Sequence, residues 1–501
     1  MHFAYETVRN LFENKTTQEM LFNSIDFAIF LPIVFILHWV IPKNNLKLQN
    51  LFILATSYFF YGWWDWRFLS LIIFSTFVDY TVGLLLHNVE NHYKRRLLLL
   101  ISICINLGLL GYFKYYNFFL ENFLTAFSFL GVNITAGSLQ IILPIGISFY
   151  TFQSMGYSID VYRKTIQPTR GFIAFAAYIS FFPQLVAGPI ERASSLLPQF
   201  KVKRSFDYVK AVDGLRQILW GFFKKMVVAD NCAEVATHIF NNSDDMGGST
   251  LVLGAVFFAF QIYCDFSGYS DIAIGTARLF GFNLTQNFNF PYFSKSISEF
   301  WKRWHISLTS WFRDYVYIPL GGNRKGLGIR VRNVLIVFLV SGLWHGANWT
   351  YIIWGALNAF YFLPSLLKQY RKNTMRQIHL PPSFSKTVKF FQMASTFTLI
   401  LFAWIIFRAN NVAHAFSYIQ EIFSTSLFEV PPFNEIPKMI KLVVLLFLFV
   451  FMEWHGRTGK HVLEIIGLTW KRPIRWALYY LVMLGIFFFS GQQQEFIYFQ
   501  F

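Results

Sequence analysis

One histidine, His345, occupies a position where a titratable ring is costly to keep, and a second, His305, lies on a mixed aromatic and charged stretch. His345 lies in Ser341-Gly-Leu-Trp-His-Gly-Ala-Asn-Trp-Thr350, a polar break in an apolar run from about Val334 to Leu363. With Arg332 as a membrane edge, His345 sits 13 residues further in, roughly 20 Å along a helix rising about 1.5 Å per residue. A hydrocarbon core is only about 30 Å thick, so the imidazole falls deep within it, where ionisable groups are functional candidates by default. A neutral imidazole can take the proton of a hydroxyl as that hydroxyl attacks an acyl carbon. One histidine beside a passage therefore suffices for acyl transfer. A histidine bonded to a neighbouring helix fits the same position, and position alone leaves both readings open. His305, in Glu299-Phe-Trp-Lys-Arg-Trp-His305, reads equally as a second site residue or as an interfacial histidine.

Other chemistries find less support. There is no HExxH and no close His/Asp/Cys constellation, so no metal site is expected. No Gly-x-Ser-x-Gly elbow is present. Cys104, Cys232 and Cys264 are too far apart for a CxxC site and read as small core residues. Asp265 and Asp271 do not share a helix face well and are expected to be structural hydrogen-bond partners near a membrane boundary. His38 is expected at a membrane interface, His461 at a polar surface, and His455 at the end of a span.

The elements that hold these residues are apolar helices. Of 501 residues 55% are hydrophobic and only 14% charged, which describes an all-α polytopic membrane protein. Sixty-two phenylalanines, 25 tyrosines and 15 tryptophans supply lipid-facing surface and interfacial anchors. The formal charge of +17 sits between apolar runs, where cytosolic loops and anionic lipid headgroups account for it without any nucleic acid. Apolar runs predict about eleven or twelve membrane segments, with Lys94-Arg95-Arg96 marking a cytosolic loop. Lys201 to Val228 mixes basic and apolar residues, as either amphipathic surface helices or a face packed on neighbouring spans. Residues 266–332 are too aromatic for a loop and too charged for a lipid-facing span, so short packed helices are expected. Residues 1–19 form an N-terminal extension or interfacial segment, and 20–501 a single integral domain. From Asn333 to Leu363 a continuous helix would run about 46 Å, longer than the core, so a bend at the polar break is expected to turn His345 towards a protein-lined passage.

Phe181-Phe-Pro-Gln-Leu-Val-Ala-Gly-Pro-Ile-Glu-Arg192, Tyr263-Cys-Asp-Phe-Ser-Gly-Tyr-Ser-Asp271, Phe288-Asn-Phe-Pro-Tyr-Phe293, Phe300-Trp-Lys-Arg-Trp-His-Ile-Ser-Leu308, Tyr317-Ile-Pro-Leu-Gly-Gly-Asn-Arg324 and Leu343-Trp-His-Gly-Ala-Asn-Trp349 together resemble the membrane-bound O-acyltransferases (MBOAT). The likeness is to their bacterial alginate O-acetyltransferase-like branch and covers essentially everything after Met20. It implies an MBOAT fold of helices around a tunnel, with His345 catalytic and His305 a second functional histidine on the same passage. It also implies an acyl thioester substrate, acetyl-CoA, with no bound cofactor, and a multi-pass place in the bacterial cytoplasmic (inner) membrane. The implied partner is an extracytoplasmic SGNH-hydrolase-like acetyltransferase that completes transfer to a cell-envelope polysaccharide.

Phe496-Ile-Tyr-Phe-Gln-Phe501 resembles the tyrosine-bearing motif on a small partner protein of related D-alanine transfer systems. That likeness implies Tyr498 as an acyl relay; an interfacial aromatic anchor is the alternative. Two further classes compete with acetyl transfer: a transporter or flippase for a lipid-linked glycan precursor, and a transferase for longer acyl chains.

Overall fold

The computed structural model describes residues 20–499 apart from 132–133, 135–136, 187, 372–381 and 432–435; the expected extension at 1–19 lies outside the described residues. Among the described residues every regular element is helical. Among the described residues eight helices are long and apolar enough to cross a membrane, and Ile25–Val40 and Phe172–Leu185 are shorter apolar helices. The expectation of eleven or twelve segments divides the chain differently. The runs at 51–64 and 68–86 fall in one 43-residue element, Leu46–Asn88, interrupted where Asp65 leaves helical geometry (φ −156°, ψ 107°). Large apolar side chains stay exposed on the last two spans, among them Phe447, Leu481 and Phe487, as lipid contact requires.

The core is built on the 32-residue central helix Gly248–Leu279, 83% of whose most apolar window is buried. Tyr208–Phe222 crosses it backbone to backbone. A Cβ at Gly214 would stand 2.7 Å from the Gly275 carbonyl oxygen, and one at Gly221 would stand 2.7 Å from that of Gly268. The glycines, seven residues apart on each helix, remove the only atoms that would hold the axes apart, the usual way for membrane helices to pack closely. Lys201–Val228 divides between the two alternatives: from Ala211 onward it is mostly packed, with Lys224 and Lys225 buried, whereas Lys201, Lys203 and Lys210 lie on the largely exposed stretch before it.

The stretch after the central helix forms short packed helices, Ile297–Arg303 and Ile306–Phe312. The bend in the long apolar run is present: Leu327–His345 ends at the histidine, and Trp349–Arg371 begins after three intervening residues.

Candidate active site

His345 is the last residue of its helix, and a helix end leaves carbonyls without partners. Lys114 Nζ donates to the carbonyls of Trp344 and His345, each at 2.9 Å, and the Tyr115 hydroxyl donates to that of Leu343 at 2.7 Å. Both donors sit on a five-residue π-helical turn, Gly111–Tyr115, where the wider winding lets consecutive side chains reach one target; such turns are frequent at functional sites. On the far side, Asn348 Oδ1 accepts from the Thr350 amide at 3.0 Å and starts the next helix. The imidazole is 4% exposed and is walled by Trp344, Trp354 and Phe407, with ring centroids at 4.9, 5.1 and 5.4 Å. Its Nδ1 has no hydrogen-bond partner among the described residues.

His305 precedes Ile306–Phe312 in a left-handed conformation (φ +42°), uncommon for any residue but glycine and a mark of a constrained site. Asn287 imposes it. Its carbonyl accepts from the Ile306 amide at 2.8 Å, and its side-chain oxygen meets Ser307 Oγ at 2.9 Å and His305 Nδ1 at 3.0 Å. Asn287 Nδ2 donates to Ser270 Oγ at 3.1 Å, so Oδ1 is the acceptor. His305 therefore carries its proton on Nδ1, which leaves Nε2, without a partner among the described residues, as the basic atom.

Tyr498, beyond the last span, joins the two. Its ring lies 5.7 Å from that of His345 and 6.2 Å from that of His305, against Phe266 at 4.5 Å. Burial pushes its hydroxyl up from the ordinary phenol range, so it keeps its proton until a base removes it. Between Lys114, the Pro144–Phe149 chain, His345 and Tyr498 lies a cavity of about 50 Å³, several times the ~10–15 Å³ that admits one water. A second cavity of about 10 Å³ is lined by Lys224, Ser267, Ser270, Asp271, Asn287 and Glu453.

The three expected site residues thus meet, although they lie on separate elements. Asp265 and Asp271 are structural partners as expected: Asp265 pairs with Lys225 at 2.8 Å, and Asp271 with Lys224 at 2.6 Å. They mark no boundary, however, because the central helix continues through both to Leu279. His38 is fully buried between Trp39 and Phe280, which corrects its interfacial reading. His461 is likewise buried, at 3.2 Å from Asp213, since a short helix folds it back onto Tyr208–Phe222. Lys94–Arg96 belong to a helix, and Arg95 is buried as a donor to the carbonyls of Leu86 and Tyr162. Lys114 and Asn287 were not singled out from the sequence. A lone lysine between Phe113 and Tyr115 at the end of an apolar run was the available signal for the first; nothing local distinguished Asn287. Among the described residues no group of His, Cys, Asp and Glu could hold a metal ion.

Membrane-length helices closed around an interior pair of histidines define a polytopic membrane protein with a buried site. Residues 164–377 match the model of MBOAT, the membrane-bound O-acyltransferase family, and the chain belongs to that family. It is 38% identical over 506 residues to a probable alginate O-acetylase, AlgI, of Pseudomonas putida, covering 96% of this chain and 100% of that one. It is 32% identical over 543 residues to a peptidoglycan O-acetyltransferase of Helicobacter pylori, covering 96% and 98%. A teichoic acid D-alanyltransferase of Bacillus subtilis is 26% identical over 282 residues, 54% of this chain and 70% of that one. The chain is a multi-pass membrane O-acyltransferase.

Proposed function

We propose that this enzyme moves acetyl from a cytosolic thioester, acetyl-CoA, onto Tyr498, and from there to an extracytoplasmic SGNH-hydrolase-like partner that acetylates hydroxyls of a cell-envelope polysaccharide. The carrying observation is the Tyr498 ring at 5.7 Å from the His345 ring, both on one cavity of about 50 Å³. Its small volume favours a two-carbon acyl group over a long chain. The relatives named as acetylases of alginate and of peptidoglycan favour acetyl and an envelope glycan.

His345 is the general base. It takes the phenolic proton as the Tyr498 oxygen attacks the thioester carbonyl; the C–S bond breaks, and the thiolate leaves with that proton, giving acetyl-tyrosine and free thiol. His305, held by Asn287 with the Nε2 lone pair free of a proton, faces the same ring and favours the positive charge that develops on the His345 imidazolium. A hydroxyl of the partner then attacks the tyrosyl ester, and Tyr498 recovers its proton. The enzyme belongs in the bacterial cytoplasmic membrane, where donor and acceptor compartments meet.

Cells carrying His345→Ala or Tyr498→Phe, each confirmed as inserted and monodisperse in detergent, are expected to lose labelled-acetyl incorporation into envelope polymer by about 10²-fold or more. Undiminished incorporation in Tyr498→Phe would overturn the relay, and in His345→Ala the base assignment.

A further inference from the structure

A tyrosine that carries an acyl group must be held at the base with its reacting oxygen placed to within a fraction of an ångström, yet Tyr498 stands on a three-residue helical turn, Ile497–Phe499. What fixes that turn is a buried ionic cluster outside the histidine site. Lys225, Asp230 and Asp265 are 1%, 2% and 3% exposed. They come from three elements: the π-helical turn Phe223–Ala229, the helix Asp230–Asn241 that continues it, and the central helix. Lys225 Nζ stands 2.8 Å from a carboxylate oxygen of each aspartate. Its third close oxygen is the Gln494 carbonyl at 2.9 Å. The other oxygen of Asp265 accepts the Ile497 amide at 2.7 Å.

The cluster thus grips main-chain atoms on either side of Phe496, whose ring packs on Tyr269 at 4.6 Å, while Lys225 lies over that same Tyr269 ring. Buried charges need full sets of partners. The C-terminal segment supplies part of this set, one acceptor to the lysine and one donor to the aspartate. Packing alone would ask for apolar residues at these positions.

We infer that Lys225, Asp265 and Asp230 form a latch for the segment 494–498: positioning residues that hold Tyr498 at His345 by gripping the backbone. The inference rests on the reading of Tyr498 as acyl carrier. The latch acts on the amide of residue 497 and the carbonyl of residue 494, so it tolerates changes of side chain there and fails when the amide is removed.

The test uses the full-length protein in detergent. Ile497→Pro deletes the amide hydrogen while keeping the side chains of Lys225, Asp230 and Asp265, at the first position of a helical turn, where proline fits. Ile497→Val keeps the amide with a side chain of similar size to proline. Hydrogen exchange of peptides spanning 491–499 and acetylation of Tyr498 by labelled acetyl-CoA are read together.

Ile497→Pro is expected to speed exchange of the segment about tenfold and to lower the rate constant of Tyr498 acetylation about tenfold, with KM for the thioester held and the protein still monodisperse. Ile497→Val is expected to stay near the parent, and Asp265→Asn to follow the proline variant. Unchanged exchange in Ile497→Pro overturns the latch, as does faster exchange with undiminished acetylation. In Tyr498→Phe the segment is expected to stay protected. Protection there combined with persistent transfer to polymer would sink the relay while leaving the grip on the segment in place.

Discussion

The His305 pocket shows how one neutral side chain sets the chemistry of a titratable one. Asn287 spends its oxygen on His305 Nδ1 and Ser307 Oγ and its nitrogen on Ser270, which fixes both the tautomer and the orientation of the ring. Asn287→Ala leaves His305 Nδ1 without its acceptor and frees the ring to turn. Loss of such an orienting partner typically costs ten- to a hundredfold in activity at comparable sites, and about tenfold is expected here. The measurement is single-turnover acetyl transfer at saturating acetyl-CoA; unchanged transfer would show that the ring is held by its aromatic walls alone. Neither the tautomer nor its partner was legible in the sequence, because Asn287 sits among Thr-Gln-Asn-Phe-Asn with nothing to distinguish it from a loop asparagine. His345 was legible because a polar residue in an apolar run is a local anomaly.

At the scale of elements, the histidine helix depends on a lysine some 230 residues earlier in the chain. Lys114→Met keeps the length of the side chain but leaves the Trp344 and His345 carbonyls with one donor fewer at a buried helix end. An unpaired buried carbonyl costs about 1–3 kcal/mol, so a lower thermal midpoint in detergent and weaker acetyl transfer are expected together. Wild-type values for both would show that the helix end is satisfied without Lys114. The glycine crossing makes a sharper demand. A Cβ at Gly268 would stand 2.8 Å from the Gly221 carbonyl oxygen and 3.1 Å from the Lys225 amide. Gly268→Ala therefore forces two backbones apart next to the ionic cluster, at about 1–3 kcal/mol for overpacking. Loss of monodispersity or a drop in the thermal midpoint is the expected reading, with Gly108→Ala, which meets nothing within 4 Å, as the neutral comparison.

For the whole molecule, charge placement sets orientation. Lys94 and Arg96 are exposed beside the Asn88–His92 connection, while Arg95 is withdrawn to cap two helix ends. The positive-inside tendency therefore still predicts this connection in the cytosol. In a Cys104→Ser background, whose remaining cysteines are buried, Glu90→Cys is expected to react with an impermeant maleimide only after the membrane is opened. Labelling in intact cells would reverse the orientation. His305 became a candidate only through the family resemblance, whereas by itself the sequence determined the class of protein, the helical build and the bend at Ser341–Thr350, and made His345 a candidate. Each of these is a local property: a run of apolar residues must shelter its backbone in helices, and an imidazole among them stands out. Only the tertiary structure decided what those histidines face. Lys114 reaches Trp344, Asn287 fixes His305, and the Ile497 amide meets Asp265 across 232 positions. Hydrophobic pattern specifies which face of a helix is buried, whereas the partner of that face is chosen by packing among many apolar helices, and no residue spacing encodes that choice.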